Sequence, residues 1–338
     1  MANCGVHRID SLIGGSGANS IMTGDPDKDA VGVIQDFLTM QGYKGLPGLL
    51  GSTRGLFGPV TENAVISFRQ SHGMSAVGEV DASTMRALIS VRANNPIACC
   101  GYLTLVLDRE FDAVLRVMSI TCQFEGAGRF AAANRNSDRA GLSFGIIQWA
   151  QKPGRLGDLL QAFDRTEHEL FVNTFAEGKE DLAQAFISHA TGAQGGVDHN
   201  GDTTDPQFNL IESPWVDRFR NSALEPRFQR VQVDTAIAAF RSSLEKIRTY
   251  APKLSSERAI AFMLDLANQH GDNGARSIFQ SVAPSPSEPA LLLAIEDESV
   301  KRIADQYGED SAEARGARAR REAFRTTSWL NDTPVAGL

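Results

Sequence analysis

Residues 121–160 read TCQFEGAGRFAAANRNSDRAGLSFGIIQWAQKPGRLGDLL, and this stretch decides how the larger part of the chain is read. An apolar segment with helical spacing, residues 107–123, runs up to it and stops just before Glu125. A glycine-rich loop follows, then Asp138, then the β-prone run Ser143-Phe-Gly-Ile-Ile-Gln-Trp149. A carboxylate at a helix end facing a second one across a small sheet is an arrangement that brackets a glycosidic bond, provided one acid stays protonated and the other ionised. Glu125, between Phe124 and Gly126, is expected to be the half-desolvated acid that protonates the leaving oxygen. Asp138, among Asn136, Ser137 and Arg139, is expected to be its ionised partner. In an inverting pair the two groups stand about 6.5–9.5 Å apart and leave room for water. A hydroxyl such as that of Ser143 orients such a water because it donates and accepts.

Outward from this stretch, helical periodicity predicts helices over 155–163, 167–176, 180–190, 226–250, 256–270, 289–307 and 311–327. Only the region around 142–150 is β-prone, and residues 192–206 form a polar loop. Residues 101–338 therefore read as one mainly α (α+β) domain with a small β-sheet. In the N-terminal third, residues 1–28 are rich in Gly, Ser and Asp and read as a loose lead-in. Residues 29–92 read as three helices. The first is Ala30–Met40, with Val33, Ile34, Phe37 and Leu38 on one face; the second opens at Pro59 and buries Ala64, Val65 and Phe68. The third opens at Asp81, a fitting N-cap, with Met85 and Leu88 inward. Residues 93–100 (ANNPIACC) read as a linker.

The chain has 338 residues, 42% hydrophobic and 22% charged, which is ordinary globular material. Its net charge of −8 argues against nucleic acid as a partner. Residues 1–100 hold 8 acidic and 7 basic side chains against 33 and 26 beyond, so the acidity lies in the second domain. An acidic surface there suits a cationic polymer such as chitosan. The four cysteines (Cys4, Cys99, Cys100 and Cys122) show neither zinc-ligand nor disulfide-framework spacing and are expected to be reduced. No cofactor and no metal are expected. No apolar run of about 20 residues is present. The N-terminus MANCGVHRIDSLIGGSG lacks the pattern of a Sec signal, so export by another route is expected.

Two resemblances add to this reading. Residues Gly55-Leu-Phe57-Gly58-Pro59-Val-Thr61-Glu-Asn-Ala64-Val65, Phe68-Arg-Gln70, Gly73, Gly78, Asp81 and Thr84 resemble the type 1 peptidoglycan-binding domain, a three-helix module of wall hydrolases. The second domain resembles the family 46 chitosanases of the lysozyme-like superfamily. Asp138-Arg-Ala-Gly141-Leu-Ser143-Phe-Gly145-Ile146-Ile147 looks like that family's Asp-Gly-Arg-Gly-Tyr-Thr-Gly-Gly-Ile-Ile, Gly157-Asp158-Leu-Leu160 like its Gly-Asp-Met-Leu, and Asp265-Leu-Ala-Asn-Gln-His270-Gly271 like its Asp-Ala-x-x-Met-His-Gly. Ala140 stands where that family has an arginine, and Phe144 where it has a second glycine. Gln148-Trp149 looks more like the Gly-x-x-Gln strand of lysozymes and lytic transglycosylases.

These resemblances imply Glu125 as general acid, Asp138 as base-side carboxylate and Ser143 as the water-positioning hydroxyl. They imply substrate contacts from Asp158, Gln148, Trp149 and Asn136, and a buried network of Asp265, Arg302 and Arg315 in support. With Asp138 too far from the sugar, Glu125 alone would be acid and base, leaving an anhydro product. The reading is a cell-wall glycan hydrolase, muramidase-like, acting on β-1,4 bonds of peptidoglycan. A chitosanase and a non-catalytic peptidoglycan-binding protein are the alternatives. An antibacterial effector with an immunity protein or secretion-machine partner, or an endolysin, fits a chain that acts at the wall without a Sec signal. Neither nucleic acid nor a membrane span is expected.

Overall fold

Asp27 and Asp81 start two of the N-terminal helices, each accepting a hydrogen bond from the backbone N–H three residues on: Ala30 at 2.9 Å and Thr84 at 2.7 Å. Such caps satisfy an N–H that the first helical turn leaves without a partner. In the computed structural model, which describes residues 4–15, 19–48, 51–327 and 329–338, the N-terminal elements are α1 (His7–Gly14), β1 (Ile21–Met22), α2 (Lys28–Met40), α3 (Pro59–Ser71), β2 (Glu79–Val80) and α4 (Ala82–Ser90). Pro59 sits at the start of α3, where its missing N–H costs nothing. The faces are those expected: Ile34, Phe37, Leu38, Val65, Phe68, Met85 and Leu88 are all buried.

The described residues between 4 and 28 are not a loose lead-in. Ile9 and Leu12 of α1 and Ile21 of β1 are buried, and β1 pairs antiparallel with β2 through Ile21 and Val80. An Arg8–Asp25 ion pair of 2.7 Å also closes this region. The apolar residues at 9, 12 and 21 belong to the module core, which therefore begins before residue 29. Residues 1–3 and 16–18 lie outside the described residues.

Further on lie α5 (Cys100–Leu105), α6 (Ala113–Cys122), β3 (Ala133–Arg135), β4 (Leu142–Phe144) and β5 (Trp149–Ala150). Then come α7 (Arg155–Thr166), α8 (His168–Ala176), α9 (Glu180–Thr191), α10 (Trp215–Ser222), α11 (Pro226–Tyr250), α12 (Glu257–Ser281), α13 (Glu288–Tyr307) and α14 (Ala312–Thr326). The fold is mainly helical with a small sheet of order β3-β4-β5, as expected. Two helices differ from their expected spans. The segment 107–123 is helical only from Ala113, because Asp108 takes a left-handed conformation (φ 55°) and Asp112 caps Leu115 at 2.7 Å. Helix α12 runs on to Ser281, past a break at Gly271 (φ 72°, ψ 163°).

The chain divides into two units. One is Met1–Phe111 with Cys122–Thr235, the other Asp112–Thr121 with Ala236–Leu338. The first is cored by aromatic rings: Phe163 stacks on Phe228 at 4.3 Å, Phe186 on Trp215 at 4.5 Å, and Phe175 meets Phe219 at 4.9 Å. Such pairs add directional attraction to area burial. In the same unit residues 93–100 bury Ile97, Ala98 and Cys99, and Ile97 forms a bridge with Arg129. In the second unit α12, α13 and α14 pack around a fully buried Asp265.

Candidate active site

Helix α6 ends at Cys122, and the N–H of Glu125 closes a turn onto the Cys122 carbonyl at 3.0 Å. A single 3-10 turn, Gly126–Gly128, follows the half-buried Glu125. Gly126 has φ 66°, and a Cβ there would fall 2.3 Å from the Cβ of Ala132, so only glycine lets this turn lie against the sheet.

The register defines the two faces of that sheet. Asn134 lies opposite Ser143, which lies opposite Ala150; Phe144 lies between Ala133 and Trp149. Side chains alternate along a strand. Phe144 meets Phe219 at 5.0 Å and so marks the core face. Ala132, Asn134 and Ser143 therefore share the other face, the one against which Gly126, next to Glu125, is seated.

Asp138 lies at the tip of the β3–β4 hairpin. It is exposed and accepts from the Ala140 N–H at 3.2 Å, the Asx turn natural to this residue. Asn136 (φ 65°) accepts from the Gly141 N–H at 3.0 Å and donates to the Asn200 carbonyl at 3.2 Å. Its amide thus fastens the hairpin to the polar loop. Gln148 (φ 51°) donates to the carbonyls of Gly145 and Ala132 at 3.0 and 3.2 Å and closes the β4–β5 turn. Four non-glycine residues with positive φ (Ala127, Asn136, Arg139 and Gln148) fall between Glu125 and Trp149. Strained backbone of this kind clusters where geometry serves a site.

The expected site residues separate into groups. Gly126, next to Glu125, and the Gln148 amide meet at Ala132 at one end of the sheet, Ser143 lies mid-strand opposite Asn134, and Asp138 stands at the hairpin tip at the other end. Ser143 is 4% exposed. Asp158 is exposed in the first turn of α7. Trp149 is 2% exposed and faces the aromatic core, so its ring offers no platform to a sugar; burial on the core side of β5 corrects the expected substrate contact.

The supporting network also needs correction. Asp265 takes its partners from Arg320, at 2.7 and 2.9 Å, and from Arg321, which also bonds Gln269. Arg302 instead pairs with Glu298 at 2.7 Å and bonds Ser277 and Ser281, while Arg315 is exposed and caps the Asp310 carbonyl. The sequence held the signal for Arg321. Ala314, Ala317, Arg321 and Phe324 fall on one buried stripe of α14, and a charge in such a stripe must meet a counter-charge. Burial alone pushes the Asp265 carboxyl up, but the two guanidinium groups outweigh it and hold it below the usual range.

Two polar side chains that sequence reasoning passed over organise the sheet. Gln151, 1% exposed, accepts from the Leu142 N–H at 3.0 Å and donates to the Gly195 carbonyl at 2.9 Å. Gln232, fully buried on α11, contacts the segment before β3 and the β4–β5 turn, which lie at the same end of the sheet. Among the described residues no group of three or more His, Cys, Asp or Glu is placed to hold a metal ion, and no helix is long and apolar enough to cross a membrane.

The architecture is thus a small helical module joined to a larger helical domain that carries a three-stranded sheet. Residues 27–88 match the family model described as a putative peptidoglycan binding domain, which spans α2, α3 and α4. Among solved structures, a mutant chitosanase from Bacillus subtilis MY002 complexed with 6 GlcN is similar over 62% of this chain and 85% of that chain, with 15% identity and a TM-score of 0.46. The native chitosanase from Bacillus subtilis MY002 is similar over the same shares, with 17% identity and a TM-score of 0.46. No curated protein matches the chain by sequence.

Proposed function

We propose that the chain is a glycan hydrolase of bacterial cell walls that cleaves β-1,4 bonds of peptidoglycan, with Glu125 as general acid. The observation that carries this reading is the peptidoglycan-binding match at residues 27–88, in the same unit as the loop and sheet bearing Glu125 and Asp138. A module that holds the polymer raises its concentration at an adjoining site without any new contact.

In this reading Glu125 gives its proton to the leaving glycosidic oxygen. Asp138 serves the opposite side, activating a water for attack on the anomeric carbon. The displacement in this reading is water-mediated and inverting, with the two carboxyl groups about 6.5–9.5 Å apart. Delivery to the wall as an injected effector, held in check by an immunity protein, or as an endolysin, completes the proposal. Lysis on periplasmic but not cytoplasmic expression is the outcome expected of either.

The test is mass spectrometry of soluble products from purified peptidoglycan and from chitosan, with the wild type and Glu125→Gln. Muropeptides with reducing N-acetylmuramic acid ends, lost in the variant, are expected. Anhydro ends would mean that Glu125 works alone as acid and base. Glucosamine oligomers from chitosan only would make the enzyme a chitosanase, and no product from either polymer would leave a wall-binding protein.

A further inference from the structure

Gln232 is fully buried in the first unit, on the face of α11 that also carries Phe228. Its Oε1 accepts from the N–H of Ile146 at 3.2 Å, and its Nε2 donates to the carbonyl of Phe130 at 3.3 Å. Ile146 lies in the β4–β5 turn. Phe130 lies five residues beyond Glu125 and is itself fully buried. An N–H only donates and a carbonyl only accepts, so these partners force one orientation of the amide. Room for it is made by Gly145 (φ 82°), where a Cβ would fall 2.5 Å from Oε1. One turn earlier on α11, Gln229 ties the Tyr102 hydroxyl (2.7 Å) to the Ala223 carbonyl (2.7 Å).

We propose that Gln232 is the positioning residue of the site: one buried amide fixes the loop that carries Glu125 against the turn that carries Gln148 and follows Ser143. The catalytic part of this proposal rests on the reading of Glu125 as the acid. Gln232 touches no substrate. It acts by bracing from the buried side two segments that also meet through the Ala132 carbonyl, which accepts from the Gly145 N–H at 2.8 Å and from Gln148 at 3.2 Å, and a misplacement of about 1 Å at a reacting group lowers a rate by roughly 10²-fold.

The test uses the full chain with Gln232→Leu and Gln232→Glu. The leucine variant keeps similar bulk but offers neither donor nor acceptor. It is expected to lower kcat by roughly 10²-fold with KM and sedimentation on insoluble peptidoglycan unchanged. The glutamate variant keeps both roles only while protonated, and burial raises its pKa. Its activity relative to wild type is expected to be near one at low pH and to fall as pH rises. In hydrogen exchange, peptides covering 124–132 and 143–150 are expected to lose protection together in Gln232→Leu, while those from 27–88 keep theirs. Unchanged exchange in both peptides, or a loss spread evenly over the unit including 27–88, would overturn the proposal. If the wild type digests no polymer, the hydrolase reading falls, and the exchange result still decides whether Gln232 ties the two segments.

Discussion

Ile97 and Arg129 form an antiparallel bridge four residues beyond Glu125, with Ala98 N–H on the Gly128 carbonyl at 2.8 Å and Phe130 N–H on the Pro96 carbonyl at 3.3 Å. Immediately after it, α5 packs on α2: a Cβ at Gly101 would stand 3.0 Å from Val33. The peptidoglycan-binding module and the Glu125 loop are thus joined by paired backbone and shared core. Ala98→Pro removes the shorter hydrogen bond and leaves a buried carbonyl unpaired, which costs about 1–3 kcal/mol. Urea unfolding is expected to show that loss. Deleting residues 1–92 removes Val33 and Phe37, against which α5 packs at Gly101, so the remainder is expected to unfold without cooperativity; a folded, fully active fragment would refute the joined core.

The acid and its partner are expected to separate kinetically. Glu125→Gln removes the proton donor and should lower kcat by about 10²–10⁴-fold, the usual worth of general acid–base catalysis. Asp138→Asn should also lower kcat, and proton NMR of early products should show inverted anomers in the wild type. Retained configuration would argue against a water placed between the two groups.

Asp265 is fully buried with two arginines, and removing its charge takes a carboxylate partner from both cations. Asp265→Asn is expected to destabilise the second unit by about 3–5 kcal/mol. Because its folded-state pKa is depressed, the pair's contribution is complete above the unfolded value of about 3.9 and is lost as pH falls through the folded one. Acid titrations of stability should therefore be steeper below pH ~4 for the wild type than for the variant.

His270 works in a different pH window. Burial pushes its imidazole down to about 4, helped by Arg321 and Arg302 and opposed by Asp265. Between about pH 4 and 6.5 the unfolded chain binds a proton that the folded one does not. Stability is complete above ~6.5 and declines as pH falls toward 4. His270→Gln should flatten that decline; identical pH profiles for the two proteins would show that the imidazole is not linked to folding.

Thiol chemistry should report on the core. Cys4, Cys99 and Cys122 are buried and in no disulfide, and burial pushes the Cys4 thiol up to about 12 and Cys99 well above its ordinary value. Only a thiolate reacts readily. Iodoacetamide at pH 8 is therefore expected to label no more than Cys100 in the native protein and all four cysteines in urea, as counted by mass spectrometry.

Much of this was legible in the residues. Helical spacing at Val33, Ile34, Phe37 and Leu38, the cap at Asp81, and Pro59 at a helix start act over a few positions, so local chemistry specifies them. The order helix end, Glu125, glycine turn, small sheet was readable for the same reason. Helix α1 and strand β1 were missed because Gly/Ser content outweighed three widely spaced apolar residues, Ile9, Leu12 and Ile21, whose burial requires partners from α4 and β2.

By itself, then, the sequence determined most of the helices, the β-prone run after Asp138 and the glycine turn after Glu125, since these depend on neighbours within one or two turns of chain. Only the tertiary structure decided that Asp265 pairs with Arg320 and Arg321, that Trp149 faces the core, and that Gln232 spans Phe130 and Ile146. Those partners lie between 55 and 102 residues apart. Which buried donor meets which acceptor at such separations is set by how whole elements pack, because each polar group taken from water must find a partner wherever the fold has placed one.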